Sequence, residues 1–160
     1  MTPLNAEPTT RSNAEILGAA YDALAAGDVA AVLAVLSDGI TWHIPGRNPL
    51  SADYTGHDEV ITFFQALGER SAGTFSLDVH DILDNGDDKV VALVTENAER
   101  HGARLTDPAV HVWRFADGKA TSFRCYTADD HEQDTFWSCR LVEPSISAAR
   151  RSLLSNNPRS

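Results

Sequence analysis

Across Val110 to Tyr126, VHVWRFADGKATSFRCY, an imidazole, a thiol and three aromatic rings fall on alternate positions. His111, Trp113 and Phe115 share one face with Phe123 and Cys125, which follow an Asp117-Gly118 turn. Imidazole is neutral near physiological pH and serves as acid or base in an apolar cleft, so His111 is the first candidate for proton-transfer chemistry. Tyr21 is the second, a phenol on a helical stripe aimed at the same interior. Trp42, Phe63, Trp113 and Phe123 offer flat faces on which an apolar ligand stacks, and Ile44 and Cys125 complete the ligand-binding set. No basic partner is guaranteed to lower the pKa of Cys125, so it reads as a small buried hydrophobe rather than a nucleophile. By alternation His43 and His80 face outward, while His57 opens a helix and His101 sits in a turn. No metal-type spacing joins them, so no metal and no cofactor are expected. Asp129-Asp130-His131-Glu132 suits the electropositive start of a helix better than a cation site.

The elements that must position these residues follow from local signals. Ser12-Asn13-Ala14-Glu15 is a capping-box pattern, and Leu17, Ala20, Tyr21 and Leu24 form the stripe of the helix it opens. Gly27 supplies the stop and Asp28 caps a second helix with Val29, Val32, Leu33 and Leu36 on its buried side. Ile40 to Ile44 alternates as a short strand with Ile40, Trp42 and Ile44 inward, ended by Pro45-Gly46. Arg47 to Tyr54 reads as a polar loop, long enough to cover a pocket mouth. Thr55 caps a third helix, with Asp58 three residues on, whose apolar face is Val60, Phe63, Phe64 and Leu67; Gly73 ends it. Four strands follow in a meander: Phe75, Leu77 and Val79 inward on the first, an Asn85-Gly86 turn, Val90 to Glu99, a His101-Gly102 turn, and then the two arms of the Asp117-Gly118 hairpin. Pro108 inside the third of these predicts a bulge or an edge. Asp129 to Trp137 predicts a short acidic helix.

The order α-α-β-α-β-β-β-β, with three helices on one face, predicts an α+β fold: a strongly bent antiparallel sheet curled into a cone. Domain boundaries are expected as a flexible arm over 1–11, one cone-shaped domain over 12–140 and a polar tail over 141–160. With 160 residues and 42% hydrophobic content, the chain supports a single core. A net charge of −10, with no long Lys/Arg run, argues against nucleic acid and anionic membranes as partners. The opening MTPLNAEPTTRSN has no apolar leader, and no run approaches a membrane span, so a cytoplasmic location is expected. The two cysteines, Cys125 and Cys139, are expected as reduced thiols.

The element order, the Tyr21…Gly27-Asp28 corner, the Tyr54-Thr-Gly-His57 helix start and the HVWRFADGK hairpin together resemble the nuclear transport factor 2-like superfamily, in its SnoaL-like branch, over residues 12 to 137. The resemblance implies a pocket-bearing cone whose relatives include ketosteroid isomerase, limonene epoxide hydrolase, polyketide cyclases and proteins that only bind. Their acids do not carry over. The Asp base of ketosteroid isomerase, just before the Pro that ends the first strand, is Ile44 here; its second acid aligns with His111; the Asp that follows the last-strand Arg in the hydrolase and cyclase branches is Cys125, after Arg124.

The expectation is therefore a hydrophobic, polycyclic or polyketide-like small molecule held in a conical pocket. His111 and Tyr21 would serve an isomerisation, cyclisation or dehydration by proton transfer. The competing expectation is a non-catalytic ligand-binding or dimerising domain that has lost the acids. A homodimer is expected through the convex sheet face, where Val112 and Tyr126 give apolar area.

Overall fold

The computed structural model describes residues 11–138; the expected tail and all of the expected arm but Arg11 lie outside the described residues. Four helices are described, α1 (Asn13–Ala25), α2 (Val29–Val35), α3 (Gly56–Ser71) and α4 (Asp130–Ser138). They accompany six strands, β1 (Leu36–Ile44), β2 (Ala52–Thr55), β3 (Ser76–Asp84), β4 (Lys89–Arg100), β5 (Ala103–Ala116) and β6 (Lys119–Thr127). None of these helices is long and apolar enough to cross a membrane.

The caps behave as their residue types dictate. Ser12 Oγ accepts from Glu15 N at 3.1 Å while Glu15 Oε1 accepts from Ser12 N at 2.9 Å, closing the capping box. Asp28 Oδ1 accepts from Ala31 N, so α2 begins on a satisfied donor. Gly27 holds φ 79, the left-handed turn that lets α1 and α2 meet without a linker. Thr55 contributes no side-chain cap; Glu59 Oε1 instead accepts from Thr55 N at 2.7 Å. Of the stripe expected for α2, Val32 is buried inside the helix, and Leu36 already belongs to β1.

The sheet runs β2-β1-β6-β5-β4-β3. Its β3-β4-β5-β6 meander is antiparallel, as the turn residues require: His101 and Gly102 hold φ 50 and 84, Asp117 and Gly118 φ 52 and 78, both pairs as a two-residue hairpin demands. Two features depart from the sequence reading. β1 lies parallel to β6, which makes the sheet mixed, and part of the expected loop forms β2, an edge strand on β1. The parallel register sets Trp42 beside Phe123, and their rings stack at 4.1 Å.

Pro108 produces no bulge: it stands opposite Thr95 in an unbroken β4–β5 register. Pairing with β6 starts at Ala109–Thr127, and Pro108, which has no N–H to give, stands at the end of that ladder and only accepts there, from Ala128 N at 3.0 Å. β3 does carry a register shift between Val79 and Asp81. The extra residue turns Ile82 inward and leaves Leu83 49% exposed. The core then lies between the concave sheet face and α1–α3, built on Leu17, Ile40, Val60, Val90 and Leu105, each fully buried.

Candidate functional site

Alternation along β4 and β5 sends more than hydrocarbon inward. Glu96 follows Val90, Ala92 and Val94 on the buried face, and Asp107 and His111 follow Leu105 on theirs. All three polar groups are buried, His111 to 5% and Asp107 to 2% exposure. Buried polar groups need partners, and each of these has them.

Tyr21 reaches down from α1 and its hydroxyl lies 2.7 Å from His111 Nδ1. Trp113 Nε1 donates to the same hydroxyl at 3.0 Å. Burial pushes the Tyr21 phenol far above its ordinary range, against the smaller opposing effect of the Trp113 bond. The phenol therefore keeps its one proton, and with Trp113 already donating to its oxygen, that proton goes to Nδ1. His111 is thus wired as the tautomer protonated on Nε2. That nitrogen faces Glu96 Oε2 at 3.7 Å, too long for a hydrogen bond and short enough for one atom of a bound molecule to engage both.

Glu96 is itself held in place. Gln133 Nε2 donates to Glu96 Oε1 at 2.8 Å and to Asp107 Oδ2 at 2.9 Å, while Gln133 Oε1 accepts from Trp137 Nε1. The Cys125 thiol donates to Glu96 Oε2 at 3.5 Å. Burial, and then the Glu96 carboxylate, push that thiol far up, so Cys125 is a thiol rather than a nucleophilic thiolate. Burial also raises Asp107, in part offset by the Gln133 hydrogen bond. Gln133 sits on α4, which Arg100 and Arg70 anchor: Arg100 Nε donates to Arg70 O and its terminal nitrogen to Phe136 O, and Arg70 donates to Trp137 O.

The polar cluster forms one wall of an otherwise apolar interior void of about 90 Å³. All eight residues singled out from the sequence line it: Tyr21, Trp42, Ile44, Phe63, His111, Trp113, Phe123 and Cys125. The void adjoins a wider mouth of about 270 Å³ between α1, α3 and β3, with Leu24, Phe64 and Leu77 on both. A smaller recess of about 50 Å³ lies beyond Glu96 and Cys125, toward Leu50 and Trp137.

The remaining histidines stand apart from this wall. His43 pairs with Asp53 on the β1–β2 edge, His57 Nε2 donates to Leu36 O, and His80 bonds Thr95 Oγ1. Asp129 accepts from Glu132 N, as the start of α4 requires. Sequence spacing offered no metal-ligand set. Among the described residues, however, the fold gathers Glu96, His111 and Cys125 with one donor atom each, all within 4.8 Å of one another. Sequence reasoning passed over Glu96, Asp107 and Gln133; the period-two alternation with Val90, Val94 and Leu105 marks the first two as inward.

Comparison with known proteins gives consistent relatives. The sequence pattern of the SnoaL-like domain family matches residues 17–123, more than half the chain. An uncharacterised protein of Mycobacterium tuberculosis, Rv0034, is 24% identical over 81% of this chain and 99% of its own length. Bal32a, from a soil-derived mobile gene cassette, superposes with a TM-score of 0.75 at 29% identity, over 78% of this chain and 95% of Bal32a. A cystatin-like-fold protein of unknown function from Xanthomonas campestris superposes with a TM-score of 0.76 at 27% identity, over 81% of this chain and all of that one.

Proposed function

The chain belongs to the SnoaL-like domain family, and on that premise we propose that it binds a hydrophobic small molecule in the interior cavity and catalyses proton transfer on it. One observation carries the reading: at the wall of an apolar void, Tyr21 fixes His111 by a 2.7 Å hydrogen bond, and Nε2 of that ring faces a buried carboxylate. The roles follow from the wiring. Glu96 Oε2 takes a proton from the carbon beside a bound carbonyl, and the electron pair moves onto the carbonyl oxygen. His111 Nε2–H donates to the enolate oxygen that forms, and Tyr21 keeps the ring in that tautomer. On a β,γ-unsaturated ligand the protonated Glu96 returns its proton to the γ-carbon and isomerises it. Given instead to a leaving β-hydroxyl, which departs as water, the same proton completes a dehydration, and given to the alkoxide formed when the enolate attacks a second carbonyl, a cyclisation. A donor placed at a developing oxyanion is commonly worth about 10²–10³ in rate, which is the share assigned to His111.

Size restricts the occupant. A cavity of about 150 Å³ holds benzene, so a polycyclic or polyketide-like ligand does not fit in the inner void alone and extends through the mouth between α1, α3 and β3. A screen of cyclic and aromatic ketones, with binding followed by calorimetry and turnover by mass spectrometry, tests the reading. Turnover should fall by about 10²–10³ in His111→Ala while binding persists. Binding with no turnover by any ligand in the wild-type chain would leave the second reading, a non-catalytic carrier. What favours that second reading is that Ile44 and Cys125 stand where relatives of this fold carry acids.

We also propose a homodimer through the outer sheet face. There Leu83, Val91 and Val112 form one row across β3–β5, and Leu93, Val110 and Tyr126 a second across β4–β6. Leu83, Leu93 and Tyr126 are 49%, 36% and 51% exposed, and large apolar side chains exposed in neighbouring rows favour a contact surface.

A further inference from the structure

We propose that Glu96, His111 and Cys125 form a binding site for a thiophilic divalent cation of the zinc type. The donors come from three neighbouring strands, β4, β5 and β6, and all three line the interior void. His111 and Cys125 are direct register partners, and Glu96 arrives diagonally, on the same face. Ala109, the register partner of Val94, lies between Asp107 and His111 on that face.

The geometry fits a four-coordinate ion. Zinc–ligand bonds of about 2.0–2.3 Å at tetrahedral angles place donors about 3.3–3.8 Å apart. Glu96 Oε2 is 3.7 Å from His111 Nε2 and 3.5 Å from Cys125 Sγ. The remaining pair, within 4.8 Å, has to close by about 1 Å at most. The outer partners are those a metal site uses. Gln133 holds the far oxygen of Glu96, and the Tyr21 oxygen stands at the far nitrogen of His111; binding through Nε2 shifts the ring's proton to Nδ1, which then donates to Tyr21, so each ligand is oriented from behind. Three protein ligands with the fourth position toward a cavity is the open arrangement of reactive rather than structural zinc. The mixed sulfur, nitrogen and oxygen set disfavours magnesium and calcium, which take oxygen.

Charge supports the same occupant. A carboxylate and a thiolate balance a divalent cation inside the core, and a thiol gives up its proton to ligate one. Binding therefore releases a proton from Cys125. With the cation bound, Glu96 and His111 are ligands, so proton transfer by Glu96 belongs to the metal-free chain. This inference does not rest on that reading.

The test uses the full chain, stripped with a chelator and dialysed, and needs no organic ligand. Titration with cobalt(II) should show one equivalent bound with thiolate-to-cobalt charge-transfer absorption in the near ultraviolet, displaced by one equivalent of zinc(II). Calorimetry of zinc in buffers of different ionisation enthalpy should give about one proton released per ion. Cys125→Ser should abolish the charge-transfer absorption, and Glu96→Gln and His111→Gln should each weaken zinc at least about tenfold. Cys139→Ser, at the chain's other cysteine, and His43→Gln should leave both readings unchanged. Absence of cobalt charge transfer or of proton release in wild-type chain that circular dichroism shows to be folded overturns the proposal, whatever the variants do. So does charge transfer that survives Cys125→Ser. Ketone binding and turnover by the stripped chain are read separately, so either conclusion fails without the other.

Discussion

Replacing Tyr21 with Phe removes one oxygen and leaves two buried groups without their partner. Trp113 Nε1–H, in a residue 4% exposed, loses the acceptor it reaches at 3.0 Å, and His111 Nδ1, in a residue 5% exposed, loses its donor at 2.7 Å. A buried polar group stranded this way costs about 1–3 kcal/mol. Two such groups set the range at about 2–6 kcal/mol, and the adjoining void moves the value to the lower half, since water entering it recovers part of one bond. Urea unfolding followed by tryptophan fluorescence should therefore show a loss of about 2–4 kcal/mol with an unchanged m-value. Tyr54→Phe is the internal control. That hydroxyl is half-buried and serves the single acceptor Leu50 O, so its loss should cost about 1 kcal/mol. A double-mutant cycle with Trp113→Phe should then return a coupling of about 1 kcal/mol or more. A Tyr21→Phe chain as stable as wild type, or zero coupling to Trp113, would refute the hydrogen-bond wiring and the tautomer of His111 deduced from it.

Other consequences are as direct. Ser12→Ala opens the capping box of α1 and should cost about 1 kcal/mol in the same urea assay. Ile40→Ala, at a fully buried position, should cost about 2–5 kcal/mol. Asp107 is raised by burial, so in the folded chain its ionised form carries a penalty that is present above the folded pKa and vanishes as pH falls through it toward the ordinary carboxylate value of about 4. Asp107→Asn still offers an oxygen to Gln133, so in chelator it should raise the urea midpoint at pH 7 and lose that gain toward pH 4. Sedimentation at tens of micromolar should show a dimer that Leu93→Glu converts to monomer; a wild-type monomer would remove the proposed interface.

Much of this architecture is legible because its signals are local. Asp117-Gly118 and His101-Gly102 dictate two hairpins through positive φ, and Ser12 with Glu15 announces a helix before any tertiary contact exists. The inner aromatic set is legible for the same reason, since period-two alternation fixes which side of a strand each residue takes. What escapes is set by distant partners. β2 is four residues long and exists by pairing with β1, and the parallel β1–β6 contact joins segments some eighty residues apart. The shift after Val79 appears only once β3 is laid on β4. Glu96 and Asp107 occupy inward positions that alternation marks, yet charged residues default to the surface unless a partner is known. Their shared partner is Gln133, 37 and 26 residues away on a helix that reads as merely acidic.

In the proposed reaction Glu96 takes a proton from a ligand held in the cavity while His111 holds the enolate oxygen, and solvent exchange measures that step without waiting for the natural substrate. Chelator-treated chain is incubated in deuterium oxide with cyclic and aromatic ketones shown by calorimetry to bind, and deuterium at the carbon beside the carbonyl is followed by NMR. The expected result is exchange above the buffer rate for at least one bound ketone, abolished in Glu96→Gln and cut by about 10²–10³ in His111→Ala, with binding retained in both. Exchange at the buffer rate for every ketone that binds, or exchange unchanged by Glu96→Gln, would contradict it.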